Sequence, residues 1–170
     1  MVQLREKDMA AGELLVLARR LREICASRAL LFVNDRLDVA LACEADGVQL
    51  GERSLPVAAA RMVAGRRLLI GRSVHSVEGA IAAKDADLLV LGTIYASASH
   101  PGEPASGLGL IRGAVHATSL PVVAIGGINP ANAAGVIAAG AAGVAVVGAI
   151  LGAKDPRQAA ADMRSAISRR

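Results

Sequence analysis

The sequence predicts an α/β fold: a TIM-type (βα)8 barrel that lacks its first βα unit. Three observations carry this expectation. Short apolar runs alternate with helix-like segments along the 170 residues, and strict alternation of strands with crossover helices produces a parallel sheet. The chain is 54% apolar but only 1% aromatic, so packing falls to Ala, Val, Leu and Ile, which suit helix-on-sheet layers. Finally, two apolar runs end in glycine, PVVAIGG (121–127) and GVAVVGAI (143–150), with a helical segment at Asn129–Ala139 between them. In barrels the loops after the last two strands commonly hold phosphate, on backbone N–H groups that glycine lets a ligand approach.

The elements follow in order. Strand-like runs are expected at Val2–Leu4, Ala29–Val33, Gly47–Leu50, Leu68–Val74, Leu88–Ile94, Val122–Ile125 and Val144–Val147. Helices are expected near Ala10–Cys25, Leu37–Glu44, Pro56–Ala64, Ser76–Lys84, Leu108–His116, Pro130–Ala139 and Pro156–Ser168. Pro56, Pro130 and Pro156 fall near first helical turns, where a missing N–H costs nothing. Ser76 has the chemistry of an N-cap. A closed barrel has eight such units and usually about 200 residues or more. The phosphate-type glycines sit in the last two units here, so the missing unit is the first. A single domain over residues 1–170 is expected, with an exposed strand edge that favours a homo-oligomer.

Composition excludes some functions. Phe32 and Tyr95 are the only aromatic residues, which argues against a nucleic-acid binder that stacks bases. The net charge is +4, and the arginines are spread along the chain; Arg19, Arg20 and Arg22 read as a solvated helix face. Cys25 and Cys43 show no metal or redox spacing and read as buried thiols. No apolar run is long enough to suggest a membrane span, and no signal peptide is visible, so a cytoplasmic enzyme-like domain is expected.

Polar residues at strand ends are the candidates for chemistry. Gln3, Arg5 and Lys7 place an amide and two cations near the end of the first strand, which suits a diphosphate; a polar loop is the alternative. Asn34 and Asp35 follow the second strand. They suit a divalent cation beside a diphosphate, while a helix cap at Asp35 explains them equally. In GRSVHS (71–76), Ser73 points toward the site face and His75 is either a base or a structural residue. The Ser-, Pro- and Gly-rich run from Ala96 to Gly107 reads as a mobile loop over an active site. No Ser/His/Asp or zinc constellation emerges.

Together QLREKD, LFVNDRLDVALACEADGVQLG, IGRSVHS, LGTIYASASHPG and PVVAIGGINPANAAGVIAAGAAGVAVVGAI resemble the thiamine-phosphate synthase family, which includes the related thiazole tautomerases. The resemblance runs over nearly the whole chain in the family's order. It implies a (βα)8 barrel in thiamine biosynthesis. Diphosphate leaves a hydroxymethylpyrimidine diphosphate, and the nitrogen of a thiazole phosphate captures the carbocation to give thiamine phosphate. On this resemblance Gln3, Arg5, Lys7, Asn34 and Ser73 contact the pyrimidine diphosphate, and Asp35 binds Mg²⁺. Ser97 and Ser99 lie where threonines bind the thiazole phosphate. Gly127, Val147 and Gly148 hold its phosphate through the backbone.

Two departures stand out. Ser54 occupies the place of a second metal-binding Asp, and His100 that of a diphosphate-binding Lys. IGRSVHS and Ser54 are also similar to the tautomerases, but Thr93 stands where their catalytic histidine falls, and they commonly lack the Asn-Asp pair kept here. Three functions are therefore expected in turn: a synthase, a tautomerase-like isomerase, and a non-catalytic binder of phosphorylated ligands.

Overall fold

The structure, a computed structural model, describes residues 1–96 and 104–168. Strands β1 (Val2–Leu4), β2 (Leu31–Asn34), β3 (Gly47–Leu50), β4 (Leu69–Val74), β5 (Leu88–Leu91), β6 (Val122–Ile125) and β7 (Gly143–Ala145) alternate with helices. These are α1 (Ala11–Cys25), α2 (Leu37–Ala42), α3 (Val57–Ala64), α4 (Val77–Ala82), α5 (Gly107–Ala117), α6 (Ala133–Ala138), α7 (Gly148–Leu151) and α8 (Pro156–Ser168). The chain divides into two compact units: Met1–Ser73 with Asp85–Leu88, and Val74–Lys84 with Leu89–Arg170.

In the first unit, β1 to β4 lie side by side and parallel, in chain order. Helix α1 buries Leu14, Ala18 and Cys25, while Glu13, Arg19, Arg20 and Glu23 are exposed beside the apolar Val16 and Ile24. Residues spaced near 3.6 along a helix share one side, which is why this segment packs and stays helical. Its core also contains Leu31, Val33, Val48, Leu50 and Ile70. Two large residues are accommodated by glycines on the neighbouring strand. Phe32 opposes Gly47 in register, and Gln49 opposes Gly71. A Cβ on Gly47 would come within 2.5 Å of the Phe32 ring. Such large–small pairing fills a space that two ordinary side chains would overpack.

One device occurs twice in this unit. The Asp46 carboxylate accepts the Leu31 N–H at 2.7 Å and pairs with Arg22 of α1, while the Asp46 N–H donates to the Leu31 carbonyl. The Asp87 carboxylate likewise accepts the Ile70 N–H at 2.6 Å and pairs with Arg61 of α3, while the Asp87 N–H donates to the Ile70 carbonyl. Each aspartate thus closes a ring with the start of a strand and ties it to a helix. Arg22 is therefore a half-buried structural residue, whereas Arg19 and Arg20 are exposed as expected.

In the second unit, β5, β6 and β7 are parallel neighbours in chain order. Leu89, Leu91, Ile94, Ile111, Val122 and Val136 form its interior. The Ser76 hydroxyl caps α4 by accepting the Gly79 N–H at 3.0 Å. Gly113 of α5 lies against Val77 of α4, where a Cβ would come within 2.9 Å of it.

Several boundaries differ from expectation by a few residues, three of them instructively. The strand expected at Leu88–Ile94 ends at Leu91, and the helix expected from Pro130 starts at Ala133. The apolar run at 143–150 is strand only to Ala145; from Gly148 it turns into the short helix α7. Apolar runs of small residues do not by themselves distinguish strand from helix.

Candidate active site

The polar residues at the strand ends of the first unit form one hydrogen-bonded chain. Gln3 Nε2 donates to Asn34 Oδ1 at 3.0 Å, and Asn34 Nδ2 donates to Asp35 Oδ2 at 2.9 Å. Asp35 Oδ1 accepts the Ser54 hydroxyl and, at 3.3 Å, the Gly51 N–H. The Gly51 N–H also reaches Ser54 Oγ at 2.6 Å. Sequence spacing alone allowed Asp35 to be a helix cap. Instead Arg36 occupies the cap position of α2 without a side-chain bond, and the Asp35 carboxylate turns toward the loop after β3. Its backbone sits in the left-handed region, at φ +58°, which a short polar side chain tolerates better than most.

This arrangement bears on metal binding. A carboxylate offers about four lone-pair positions, and three neutral donors take three of them. The remaining one lies on Oδ2, so Asp35 has room for one cation contact. The described residues hold no cluster of three or more His, Cys, Asp or Glu side chains. A site of this kind suits Mg²⁺, which is held by one or two carboxylates, waters and substrate phosphates rather than by an all-protein cage. An open groove of about 340 Å³, lined by Asp35 to Asp38, Leu55 and Val63, reaches the acid from solvent.

Arg5 and Lys7 lie just past the end of β1 and are exposed. They form no ion pair among the described residues, which leaves both charges available to an anion. Ser73, half-buried at the end of β4, accepts Gln49 Nε2–H at 2.9 Å. Sequence reasoning missed Gln49. Its signal was an amide in the otherwise apolar strand GVQL. His75 is exposed, with Nδ1 2.5 Å from the Gly92 carbonyl, so its proton on that side is committed to the backbone.

The second unit offers backbone rather than side chains. Gly126 and Gly127 follow β6 at φ +105° and +60°. A Cβ on Gly126 would come within 2.6 Å of Thr93, and one on Gly127 within 2.8 Å of Tyr95. The protein's own 93–96 segment therefore requires these glycines, a reason the sequence did not reveal. Asn132 Nδ2 donates to the Gly127 carbonyl at 3.0 Å, and Asn132 Oδ1 accepts the Asn129 N–H at 2.9 Å. Asn129 Oδ1 in turn accepts the Ala131 N–H at 2.9 Å. These two asparagines, also missed, fix the turn before α6; their signal was the N-x-x-N spacing in INPAN. Val147 and Gly148 are exposed, with Gly148 opening α7. A Cβ there would meet nothing within 4 Å. Ser97, Ser99 and His100 lie outside the described residues.

Comparison with known proteins places these features in a context. A family model for thiamine monophosphate synthase matches residues 1–150. The thiamine-phosphate synthase of Moorella thermoacetica is 45% identical over 173 aligned positions, covering 99% of this chain and 82% of that protein. Among solved structures, thiamine phosphate pyrophosphorylase from Pyrococcus furiosus superposes with a TM-score of 0.90 at 40% identity, covering 97% of this chain and 81% of that one. A 3-hexulose-6-phosphate synthase matches at 21% identity with a TM-score of 0.76, covering 98% and 86% of the two chains. That last likeness concerns fold alone, and it bears out the α/β, TIM-type reading.

Proposed function

The chain belongs to the thiamine monophosphate synthase family, and from that premise we propose how its residues serve the reaction. The protein is a thiamine-phosphate synthase, a transferase of thiamine biosynthesis acting on a phosphorylated pyrimidine and a phosphorylated thiazole. The C–O bond between the pyrimidine methylene and diphosphate breaks, and the thiazole nitrogen bonds to that carbon. No side chain need be a nucleophile. The catalytic task is to stabilise the departing diphosphate and hold the acceptor in place.

The observation that carries the assignment of roles is the Gln3–Asn34–Asp35–Ser54 chain. It holds an acid at the strand ends with neutral donors only, so its negative charge is not cancelled. Asp35 is the residue that would hold the divalent cation, which we take to be Mg²⁺; when bound, the ion neutralises charge on the leaving diphosphate. Arg5 and Lys7 supply fixed positive charge to the same anion, and the Ser73 hydroxyl donates to it. Asn34 holds Asp35 and is itself held by Gln3, and both present their own amides.

Ser54 stands where the family resemblance leads one to expect a second acid. It hydrogen bonds to Asp35 instead of adding charge, so metal binding rests on a single carboxylate plus the substrate. In the second unit, Gly127 and the N–H groups that open α7 at Gly148 are the proposed seat of the thiazole phosphate, with Val147 at its edge. The first N–H groups of any helix lack intrahelical partners.

The test is diphosphate release from the two thiamine precursors with and without Mg²⁺. Release should depend on the metal. Asp35→Ala should lower it by at least about 100-fold while leaving the protein folded, since the freed donors are accessible to water. Metal-independent release, or an active Asp35→Ala protein, would refute the assignment.

A further inference from the structure

The loop that brings Ser54 to Asp35 is gripped from behind by a cation. Gly71 and Ser73 of β4 face Gln49, so strand alternation sends Arg72, between them, to the opposite side. There Arg72 is half-buried. Its Nη1 donates to the Leu55 carbonyl at 3.4 Å and its Nη2 to the Glu52 carbonyl at 3.3 Å. These two carbonyls lie on either side of Ser54 in the chain. Arg72 takes part in none of the ion pairs among the described residues, so its charge is spent on this loop.

The chemistry of the guanidinium suits this use. Its planar fork presents several N–H donors in fixed directions, so one side chain can hold two acceptors at a set separation. A hydrogen bond from a charged donor is also stronger than a neutral one. The Gly51–Leu55 loop has little else to shape it: it is neither strand nor helix, and its turn rests on the Ser54 N–H, which donates to the Gly51 carbonyl at 3.1 Å. Tethers at Glu52 and Leu55 therefore set where the Ser54 hydroxyl stands, and that hydroxyl donates to Asp35 Oδ1. We propose that Arg72 is a positioning residue for the metal-binding acid: by clamping Glu52 and Leu55 it keeps Ser54 on Asp35 Oδ1 and leaves Oδ2 turned toward the divalent cation. The inference rests on the reading of Asp35 given above and adds to it a residue that acts through Ser54.

Two readouts test it: Mn²⁺ binding in the presence of inorganic diphosphate, followed by loss of the free-ion electron paramagnetic resonance signal, and the Mg²⁺ dependence of diphosphate release. Arg72→Gln should weaken Mn²⁺ binding by about threefold to tenfold. It should raise the Mg²⁺ concentration for half-maximal release by a similar factor and leave the rate at saturating Mg²⁺ within about twofold of the wild type. Ser54→Ala should do the same, and joining the two changes should add less than about twofold, because one acts through the other. Arg72→Lys, which reaches one carbonyl at a time, should fall between Arg72→Gln and the wild type, and it covers the case of a glutamine variant that does not fold. Wild-type Mn²⁺ binding in both Arg72 variants overturns the inference, including where Tm falls, since Arg72 is then only structural. Independent, multiplying effects in the double variant overturn it too. So does a lower saturated rate with unchanged metal dependence, which would put Arg72 on the substrate. A wild type that binds no Mn²⁺, or releases diphosphate without metal, overturns the reading of Asp35 itself and this inference with it.

Discussion

The two units present polar groups in opposite ways. In the first, the candidate site is made of side chains from separate strand ends: Gln3, Asn34, Asp35 and Ser54, each hydrogen bonded to the next, and Ser73, held separately by Gln49. In the second, it is made of backbone, at Gly126, Gly127 and Gly148, with Asn129 and Asn132 bracing it. The chain from Gln3 to Ser54 can be dismantled one residue at a time without disturbing the fold, because each of its four groups is at least partly exposed and water replaces a lost partner. A backbone site cannot, because the groups that would bind ligand are also the groups that make the turn.

The largest test of this contrast is Gly127→Ala. The new Cβ would stand within 2.8 Å of Tyr95 in a residue at φ +60°. The left-handed backbone and the overpacking together should cost about 2–5 kcal/mol. At this chain length that is a fall in Tm of roughly 5–15 °C, readable by calorimetry. A fall of less than about 2 °C would mean that the turn yields and that the two regions do not differ as described.

A paired comparison is smaller and sharper. Asn132→Ala removes both the donor to the Gly127 carbonyl and the acceptor for the Asn129 N–H. It should cost about 1–2 kcal/mol and weaken thiazole phosphate binding together with stability. Ser54→Ala in the other network removes the hydroxyl on Asp35 but leaves the Gly51 N–H there. It should cost no more than about 0.5 kcal/mol and alter only the metal dependence of diphosphate release. Denaturant unfolding of the two variants beside the wild type decides the matter. If Ser54→Ala unfolds more easily than Asn132→Ala, the contrast is reversed.

The smallest effect concerns pH. Hydrogen bonding from Arg36 holds the Asp38 carboxyl below its ordinary range, while partial burial opposes this. The ionised form is thus favoured by folding. The stability it adds is fully present above the unfolded carboxylate value and is lost as pH falls through the lowered folded value. Asp38 is 64% exposed, so solvent screening keeps the contribution small. The stability gap between wild type and Arg36→Gln should close on acidification from neutral pH. A gap that widens would contradict the sign.

By itself the sequence determined the alternation of strands and helices, the α/β class and the polar residues at strand ends. Each of these depends on local order along the chain: apolar runs, their length, and which residue follows them. Gln3, Asn34, Asp35 and Ser73 were legible for that reason. Local order could not decide where an element stops when its residues are Ala, Gly and Val, and so the strand expected at Val144–Val147 ends at Ala145 and the short helix α7 was not foreseen. Only the tertiary structure decided that Arg22 is a structural partner of Asp46, that Asp35 faces Ser54 rather than capping α2, and that Gly127 is imposed by Tyr95 and Ala96. It alone revealed Gln49 behind Ser73. These are contacts between residues far apart in the chain, fixed by which strands are neighbours and in what register, and neither is written in any one segment.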